Sequence, residues 1–278
     1  MPELPEVESI RRSLEPFIIG QTVLSVLLRR RDIVSSPHTA RKADLLAGAT
    51  ITRIDRRGKR LAIIATSPST GHPIALGVQL GMSGQLLRLA PRERTTDSTH
   101  VHALWRMSDQ SRLLFRDPRR FGGLRVFTTL DLLTDNWGSL GPDALTMTDQ
   151  DFNTALGHSS RAIKAALLDQ SVIAGVGNIY ADESLFRAKL APQRPVAALS
   201  PQERATLASA IVAVLQEAVL AGGSTLRDYA NANGESGRFQ FAHNVYGRGG
   251  DPCPTCQRAL RSAQLAQRTT VWCEHCQE

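Results

Sequence analysis

From Leu4 to Ile18 the apolar residues Val7, Ile10, Leu14 and Phe17 recur at helical spacing, and Glu6 and Glu8 occupy the first turn, where the positive end of the helix dipole favours acids. An amphipathic helix is therefore predicted almost at the start of the chain. The pattern then changes to short β-rich runs, at 22–28, 50–54, 61–65, 73–80, 101–107 and 124–127. Turn signals separate them: Gly58, Gly71, Gly81 with Gly84, the stretch 108–111, and Gly122 with Gly123. Strands at such intervals predict an antiparallel sandwich or barrel. After about residue 130 the period becomes 3.6, and helices are predicted over 149–156, 162–169, 179–188 and 201–221. The last is sharply punctuated, with Ser200 as N-cap, Pro201 in the first helical position, Glu203 closing a capping box, and Gly222 and Gly223 at the end. The stretch from Arg227 to Gly237 is polar and glycine-rich and reads as a loop. The fold class expected is α+β in two domains: an N-terminal antiparallel β-sandwich with flanking helices over 1–130, a linker over 131–148, a helical domain over 149–240, and a small β-hairpin unit over 241–278.

Composition adds bounds. The chain has 278 residues, 42% hydrophobic and 21% charged, enough for two modest domains and unlike a disulfide mini-scaffold or a disordered tail. It has no run of about 18 apolar residues, and its first residues are acidic where a secretory signal is basic and then apolar, so a cytoplasmic chain without a membrane partner is expected. Charge is uneven: residues 1–130 hold 21 Lys and Arg against 11 Asp and Glu, and the rest of the chain is slightly acidic, with a net charge of +7 overall. A basic N-terminal half is the profile of a protein that meets polyanions.

All four cysteines fall near the end, as Cys253-Pro-Thr-Cys256 and Cys273-Glu-His-Cys276 with sixteen residues between the pairs. Two such pairs supply four thiolates to one tetrahedral zinc, and a zinc-pinned β-hairpin is expected. Two disulfides or a redox dithiol are the competing reading, disfavoured by a cytosolic context and by the lack of a βαβ pattern around the pairs. His275 lies inside the second pair and is read as a bystander, since four thiolates complete the site. At the other end, removal of Met1 would leave Pro2 with a secondary amine. An α-amino group titrates near pH 8, so a sizeable fraction is nucleophilic without special help, and secondary amines form iminium species at carbonyl-like carbons. Glu3 and Glu6 beside it suit acid–base work. Taken alone, Pro2 reads better as an ordinary helix-starting residue in an acidic first turn than as a nucleophile.

The decisive pattern is a series of blocks. Pro2-Glu-Leu-Pro-Glu-Val-Glu8 is followed by Arg56-Arg-Gly-Lys-Arg60, Leu80-Gly-Met-Ser-Gly84, Asp117-Pro-Arg-Arg-Phe-Gly122, the run from Gly175 to Phe186, Val245-Tyr-Gly-Arg248, and the cysteine finger enclosing Gln267-Arg268. Together they resemble bacterial formamidopyrimidine-DNA glycosylase, a bifunctional base-excision enzyme that removes oxidised purines such as 8-oxoguanine, and the resemblance spans residues 2–276. It implies that Pro2 is the nucleophile at C1′ of the damaged nucleotide, Glu3 the general acid and Glu6 a supporting carboxylate. It implies that Lys59 contacts phosphate and assists β-elimination, and that Arg268 grips phosphates and serves the δ-elimination. Met82, Arg119 and Phe121 match the side chains that fill the space left by an extruded base. Gly175-Val-Gly-Asn178 matches the family's helix-two-turn-helix, with Asn178, Lys164, Arg161 and His100 as DNA contacts and His102 a companion. Glu235, Ser236 and Gly237 match the loop that folds over the flipped base. The implied cofactor is one structural zinc on Cys253, Cys256, Cys273 and Cys276, with no small-molecule cofactor. The implied partner is double-stranded DNA carrying oxidised bases, met by a monomer. Two departures stand out: Gln79 where members often carry histidine, and Ser159-Ser160 where others carry basic residues. Two rivals remain. An endonuclease VIII-like glycosylase would prefer oxidised pyrimidines, and Leu4 with the Met82, Arg119 and Phe121 triplet argues against it. A non-catalytic lesion-binding zinc protein would not need Pro2, Glu3 and Lys59.

Overall fold

The computed structural model describes residues 2–35, 45–93, 99–226 and 229–278; Met1 and Arg227 lie outside the described residues. The chain forms two compact units, one of residues 1–138 with 222–238, the other of residues 139–221 with 239–278.

The first unit opens with α1 (Leu4–Ile18), which buries Val7, Ile10, Leu14 and Ile18 on one face. Eight strands follow: β1 (Val23–Leu28), β2 (Thr50–Arg57), β3 (Arg60–Thr66), β4 (Pro73–Gln79), β5 (Gln85–Leu89), β6 (Val101–Met107), β7 (Arg112–Arg116) and β8 (Gly123–Phe127). They make two four-stranded antiparallel sheets, ordered β1-β6-β7-β5 and β2-β3-β4-β8. Inward residues of both sheets, among them Val26, Ile54, Leu61, Ile63, Leu76, Trp105 and Phe115, merge with the apolar face of α1 in one core, which is the expected sandwich. Two of the strands carry weak sequence signals. β5 and β7 read Gln-Leu-Leu-Arg-Leu and Arg-Leu-Leu-Phe-Arg, with no β-branched residue, and they exist because they pair with each other, Leu86 opposite Phe115. α2 (Leu130–Gly138) occupies the start of the stretch marked as a linker. Its only fully buried residue is Leu133, which packs with Ala62, Ile64, Ala75 and Phe127 on the second sheet's other face.

The second unit contains α3 (Asp149–Leu156), α4 (Ile163–Leu168), α5 (Asn178–Arg187) and α6 (Pro201–Leu220). Ser200 caps α6 as expected, its hydroxyl accepting from the Glu203 N–H and the Glu203 carboxylate accepting from the Ser200 N–H. β9 (Arg261–Leu265) and β10 (Arg268–Trp272) form an antiparallel hairpin that shares a small core of Val245, Leu260 and Val271 with two of the cysteines. Among the described residues no helix is long and apolar enough to cross a membrane.

Candidate active site and nucleic-acid interface

Pro2 and Glu3 are buried immediately ahead of α1, and Glu3 is its N-cap. Glu6 closes this start. One carboxylate oxygen accepts the Glu3 N–H at 2.8 Å and the other accepts the Ser224 N–H at 2.7 Å. Ser224 belongs to the segment 222–238 that returns to the first unit, so Glu6 ties that segment to the residues around Pro2. Gly223 has φ +83° and lies so near Glu6 that a Cβ there would meet the carboxylate at 2.8 Å, which is why a glycine stands there. The Tyr229 hydroxyl donates to the backbone oxygens of Glu6 and Gly222 at 3.2 and 3.0 Å, and burial followed by the charge of Glu6 pushes the phenol above its ordinary range.

Lys59 sits half-buried in the two-residue turn between β2 and β3, after Gly58 at φ +55°. The turn is held from α1. Arg56 donates to Glu8 at 2.9 Å and to the Gly58 carbonyl at 3.0 Å, and Glu8 also receives Arg11 and Arg12. Burial alone would raise the Glu8 pKa, but the three guanidiniums outweigh it and hold the carboxyl down at about 2.

Met82 and Phe121 are 43% and 55% exposed, a large apolar area to leave in water. They stand on two turns locked back to back. Asp117 is buried and accepts the Ser83 hydroxyl at 2.6 Å and the Gly122 N–H at 2.7 Å, while the Ser83 hydroxyl accepts the Arg119 N–H at 3.1 Å. A Cβ on Gly81 would strike the Phe121 backbone at 2.4 Å. The Arg119 guanidinium lies over the Phe121 ring, 4.8 Å from its centroid. His100 is exposed and its carbonyl accepts from Asp117, whereas His102 is buried with its ring on the Asp117 carbonyl at 2.8 Å. The loop of Glu235, Ser236 and Gly237 is folded on Asn231, whose side-chain oxygen accepts the N–H groups of Asn233 and Glu235. Glu235 and Ser236 are exposed at its tip; Gly237 is buried and its N–H donates to Thr225 at 2.9 Å.

Arg268, Asn178, Lys164 and Arg161 belong to the second unit. Arg268 is exposed at the start of β10, just after a turn in which Ala266 and Gln267 both have positive φ. Asn178 opens α5 and donates to the Thr269 carbonyl at 3.0 Å. Lys164 is fully buried. Its ammonium lies 2.6 Å from Asp182 and donates to the Thr270 hydroxyl at 2.7 Å, so it faces the hairpin rather than solvent, where a phosphate would be met. Burial pushes the Asp182 carboxyl up to about 6, against the pull of Lys164. Arg161 is exposed and paired with Asp169 at 3.0 Å. Glu183, next in α5 and also buried, accepts the N–H groups of Asn244, Val245 and Tyr246, fixing the approach to the finger.

The four cysteines are unlinked, and their sulfurs all lie within 4.8 Å of one another, with Cys253 to Cys276 at 4.0 Å and Cys256 to Cys273 at 3.5 Å. Zinc–sulfur bonds of about 2.3 Å in a tetrahedron put sulfurs roughly 3.8 Å apart, so the donor set fits one structural zinc ion. His275 instead meets Arg258 at 3.2 Å.

The model of the formamidopyrimidine-DNA glycosylase N-terminal domain matches residues 1–124, that of the family's H2TH domain residues 140–230, and a zinc finger found in FPG and IleRS residues 250–278. The formamidopyrimidine-DNA glycosylase of Heliobacterium modesticaldum is 40% identical over 282 residues, covering both chains completely. The chain belongs to the formamidopyrimidine-DNA glycosylase family. The crystal structure of the MutM (FPG) protein from Thermus thermophilus is similar to this glycosylase chain at a TM-score of 0.84 and 40% identity, over 99% of this chain and 98% of that one. The Lactococcus lactis Fpg in complex with an abasic-site DNA gives a TM-score of 0.89 at 32% identity over the whole of both chains.

The sequence reading missed the residues that hold these groups in place. Asp117, Asp182 and Glu183 lay inside the quoted blocks, and their only signal was an acid amid apolar or glycine neighbours, where a buried carboxylate must find donors. Ser224 and Tyr229 gave none, because their partner Glu6 is more than 200 residues away.

Proposed function

We propose that this glycosylase excises oxidised purines, including 8-oxoguanine and formamidopyrimidines, from double-stranded DNA and then cleaves the strand. The observation that carries the reading is the closed start of α1, where Glu6 accepts the backbone N–H groups of Glu3 and Ser224 and so fixes the residues beside Pro2. The family membership supports the chemistry. With Met1 removed, the Pro2 nitrogen attacks C1′ as the bond to the base breaks, and the base leaves with the electron pair and a proton. Opening of the sugar, protonated by Glu3, gives an iminium at Pro2. Loss of a C2′ proton expels the 3′ phosphate, and a second elimination expels the 5′ phosphate.

Lys59 and Arg268 stabilise the negative charge that develops on those phosphates. Met82, Arg119 and Phe121 fill the vacated stack, with Arg119 addressing the orphaned base, and their exposure on locked turns suits the task. Glu235 and Ser236 cover the flipped base, with Gly237 anchoring the loop. His100, Asn178 and Arg161 contact the duplex, and Lys164 acts from behind by holding Thr270. Zinc, when bound, supplies the fold of the hairpin; four thiolates leave it no open position for water. The protein works as a monomer with no small-molecule cofactor.

Borohydride trapping on a duplex carrying one 8-oxoguanine opposite cytosine tests this, with a thymine-glycol duplex and Pro2→Gly as controls and intact mass to establish that Met1 is gone. A covalent adduct and strand cleavage are expected with the purine lesion, and loss or alteration of the adduct in the variant. An adduct with thymine glycol alone would transfer the protein to oxidised pyrimidines. No adduct with either duplex, from zinc-loaded protein lacking Met1, would leave a binder without catalysis.

A further inference from the structure

One face of the β2-β3-β4-β8 sheet carries a hollow that the reaction does not use. Along this sheet Arg60 pairs with Gln79 and Gln79 with Gly123, while Ala62 pairs with Gly77 and Gly77 with Arg125. Alternate residues share a face, so Arg60, Gln79, Gly77 and Arg125 point the same way, toward the side covered by α2. Gly77 lets the Phe127 ring lie directly on the sheet, since a Cβ there would meet the ring at 2.8 Å, and Gly123 adds no side chain of its own. The resulting cavity is about 140 Å³, walled by Asn136 and Trp137 of α2.

Arg60 is half-buried and donates to the Asn136 carbonyl and side-chain oxygen at 3.1 and 3.3 Å. Arg125 lies over the Phe127 ring, 5.6 Å from its centroid. Among the described residues no ion pair joins either guanidinium to a carboxylate, unlike those of Arg11, Arg12, Arg30, Arg53, Arg56 and Arg120 in the same unit. Burial, and after it the charge of Arg125, lowers the pKa of Arg60, so the two cations oppose each other across the hollow. Two guanidinium forks around a polar cavity match the oxygens of a tetrahedral anion. At about 30 Å³ per water, the cavity has room for a phosphate group and one or two waters.

We propose that this hollow is an oxyanion site that takes a phosphate group between Arg60 and Arg125. The site is separate from the groups assigned to the reaction and does not depend on those assignments. Its phosphate is either free, as the ion or a small phosphate ester, or part of a DNA backbone.

Calorimetric titration of the zinc-loaded, full-length protein with inorganic phosphate tests it, with ionic strength held constant by chloride. Saturable binding competed by sulfate is expected, weakened roughly tenfold or more in Arg125→Gln, since a charge-assisted pair is removed. Arg125 is exposed, so this variant keeps its fold, and Arg60→Lys tests the fork at constant charge. The source follows from an undamaged duplex. Displacement of phosphate by duplex, with the salt slope lowered by about one contact in Arg125→Gln, assigns the site to the backbone; independent binding assigns it to a free phosphate. No saturable heat in the wild type, or the same heat in Arg125→Gln and Arg60→Lys, would overturn the proposal.

Discussion

Each unit holds one hairpin from a helix by way of a carboxylate, and the two locks are built on opposite principles. In the first, Glu8 of α1 receives three guanidiniums, and Arg56 carries the tie to the turn that presents Lys59. In the second, Asp182 of α5 meets Lys164 in a pair with no solvent exposure, and Lys164 carries the tie to Thr270, two residues beyond Arg268. The first lock adds charge at the margin of a sandwich that already has a large core. The second buries charge beside a core of a few side chains and a metal site. Where apolar burial is plentiful, a lock needs only to orient; where it is scarce, desolvated polar bonds and a metal must supply the fold itself.

Removing the metal should break the comparison most completely. Cys256→Ser, or a strong chelator, is expected to unfold the β9–β10 hairpin, because metal binding in such a site is folding free energy of about 10 kcal/mol or more. Hairpin amide signals should collapse while those of the sandwich hold, and DNA affinity should fall with the loss of Arg268. A zinc-free protein that keeps its hairpin and its affinity would show that the finger folds without metal. Next in size is Glu183→Ala, which strips acceptors from the N–H groups of Asn244, Val245 and Tyr246. An unsatisfied buried donor costs about 1–3 kcal/mol, so a loss of roughly 3–5 kcal/mol is expected in urea unfolding of the second unit. A change under about 1 kcal/mol would mean that water replaces the carboxylate.

The two locks should also respond to pH with opposite signs. Glu8 is held at about 2 against an ordinary 4.5, so its stabilisation is complete above pH 4.5 and fades as pH falls toward 2. Asp182 is raised from 3.8 to about 6, so the proton it holds stabilises the fold below pH 3.8, and that contribution is lost as pH rises through 6. Glu8→Gln should therefore flatten the acid limb of the stability curve and cost about 2 kcal/mol at neutral pH, the shift being discounted for solvent screening at the sandwich margin. Stability profiles from pH 2 to 8, read by the amide signals of the sandwich and of the hairpin, check this; parallel profiles for the two units would erase the distinction.

What the sequence made legible follows the same division. Periodicity exposed α1, most of the sandwich strands and α6, because each has a local pattern that burial on one face enforces. β5 and β7 escaped, since their strand state comes from pairing with each other, and α2 escaped because it buries little beyond Leu133. At the site, the residues that local pattern singles out were readable: Pro2 at the start of α1, Met82 and Phe121 on their glycine-flanked turns, and the four cysteines that fit a zinc ion. Their holders were not. Asp117 and Glu183 depend on Ser83 and Tyr246, dozens of residues away, and Lys164 on Thr270, more than a hundred away, and no local rule tells a buried lysine paired with Asp182 from one reaching for phosphate.

The smallest effect compares the turns themselves. In the β2–β3 turn, Gly58 takes φ +55° at no steric cost, whereas the β9–β10 turn places Ala266 and Gln267 at φ +49° and +57°, where a Cβ crowds the following carbonyl. Gly58→Ala should thus destabilise the first unit by about 1 kcal/mol, and Ala266→Gly should stabilise the finger hairpin by up to about 1 kcal/mol, less the entropy a glycine adds to the unfolded chain. Hydrogen exchange of the hairpin amides reads the second and urea unfolding the first. Shifts of the same sign would show that the finger's turn is set by the metal on either side of it and not by its own backbone. The zinc would then hold the approach to Arg268 in place even against the preference of the residues that form it.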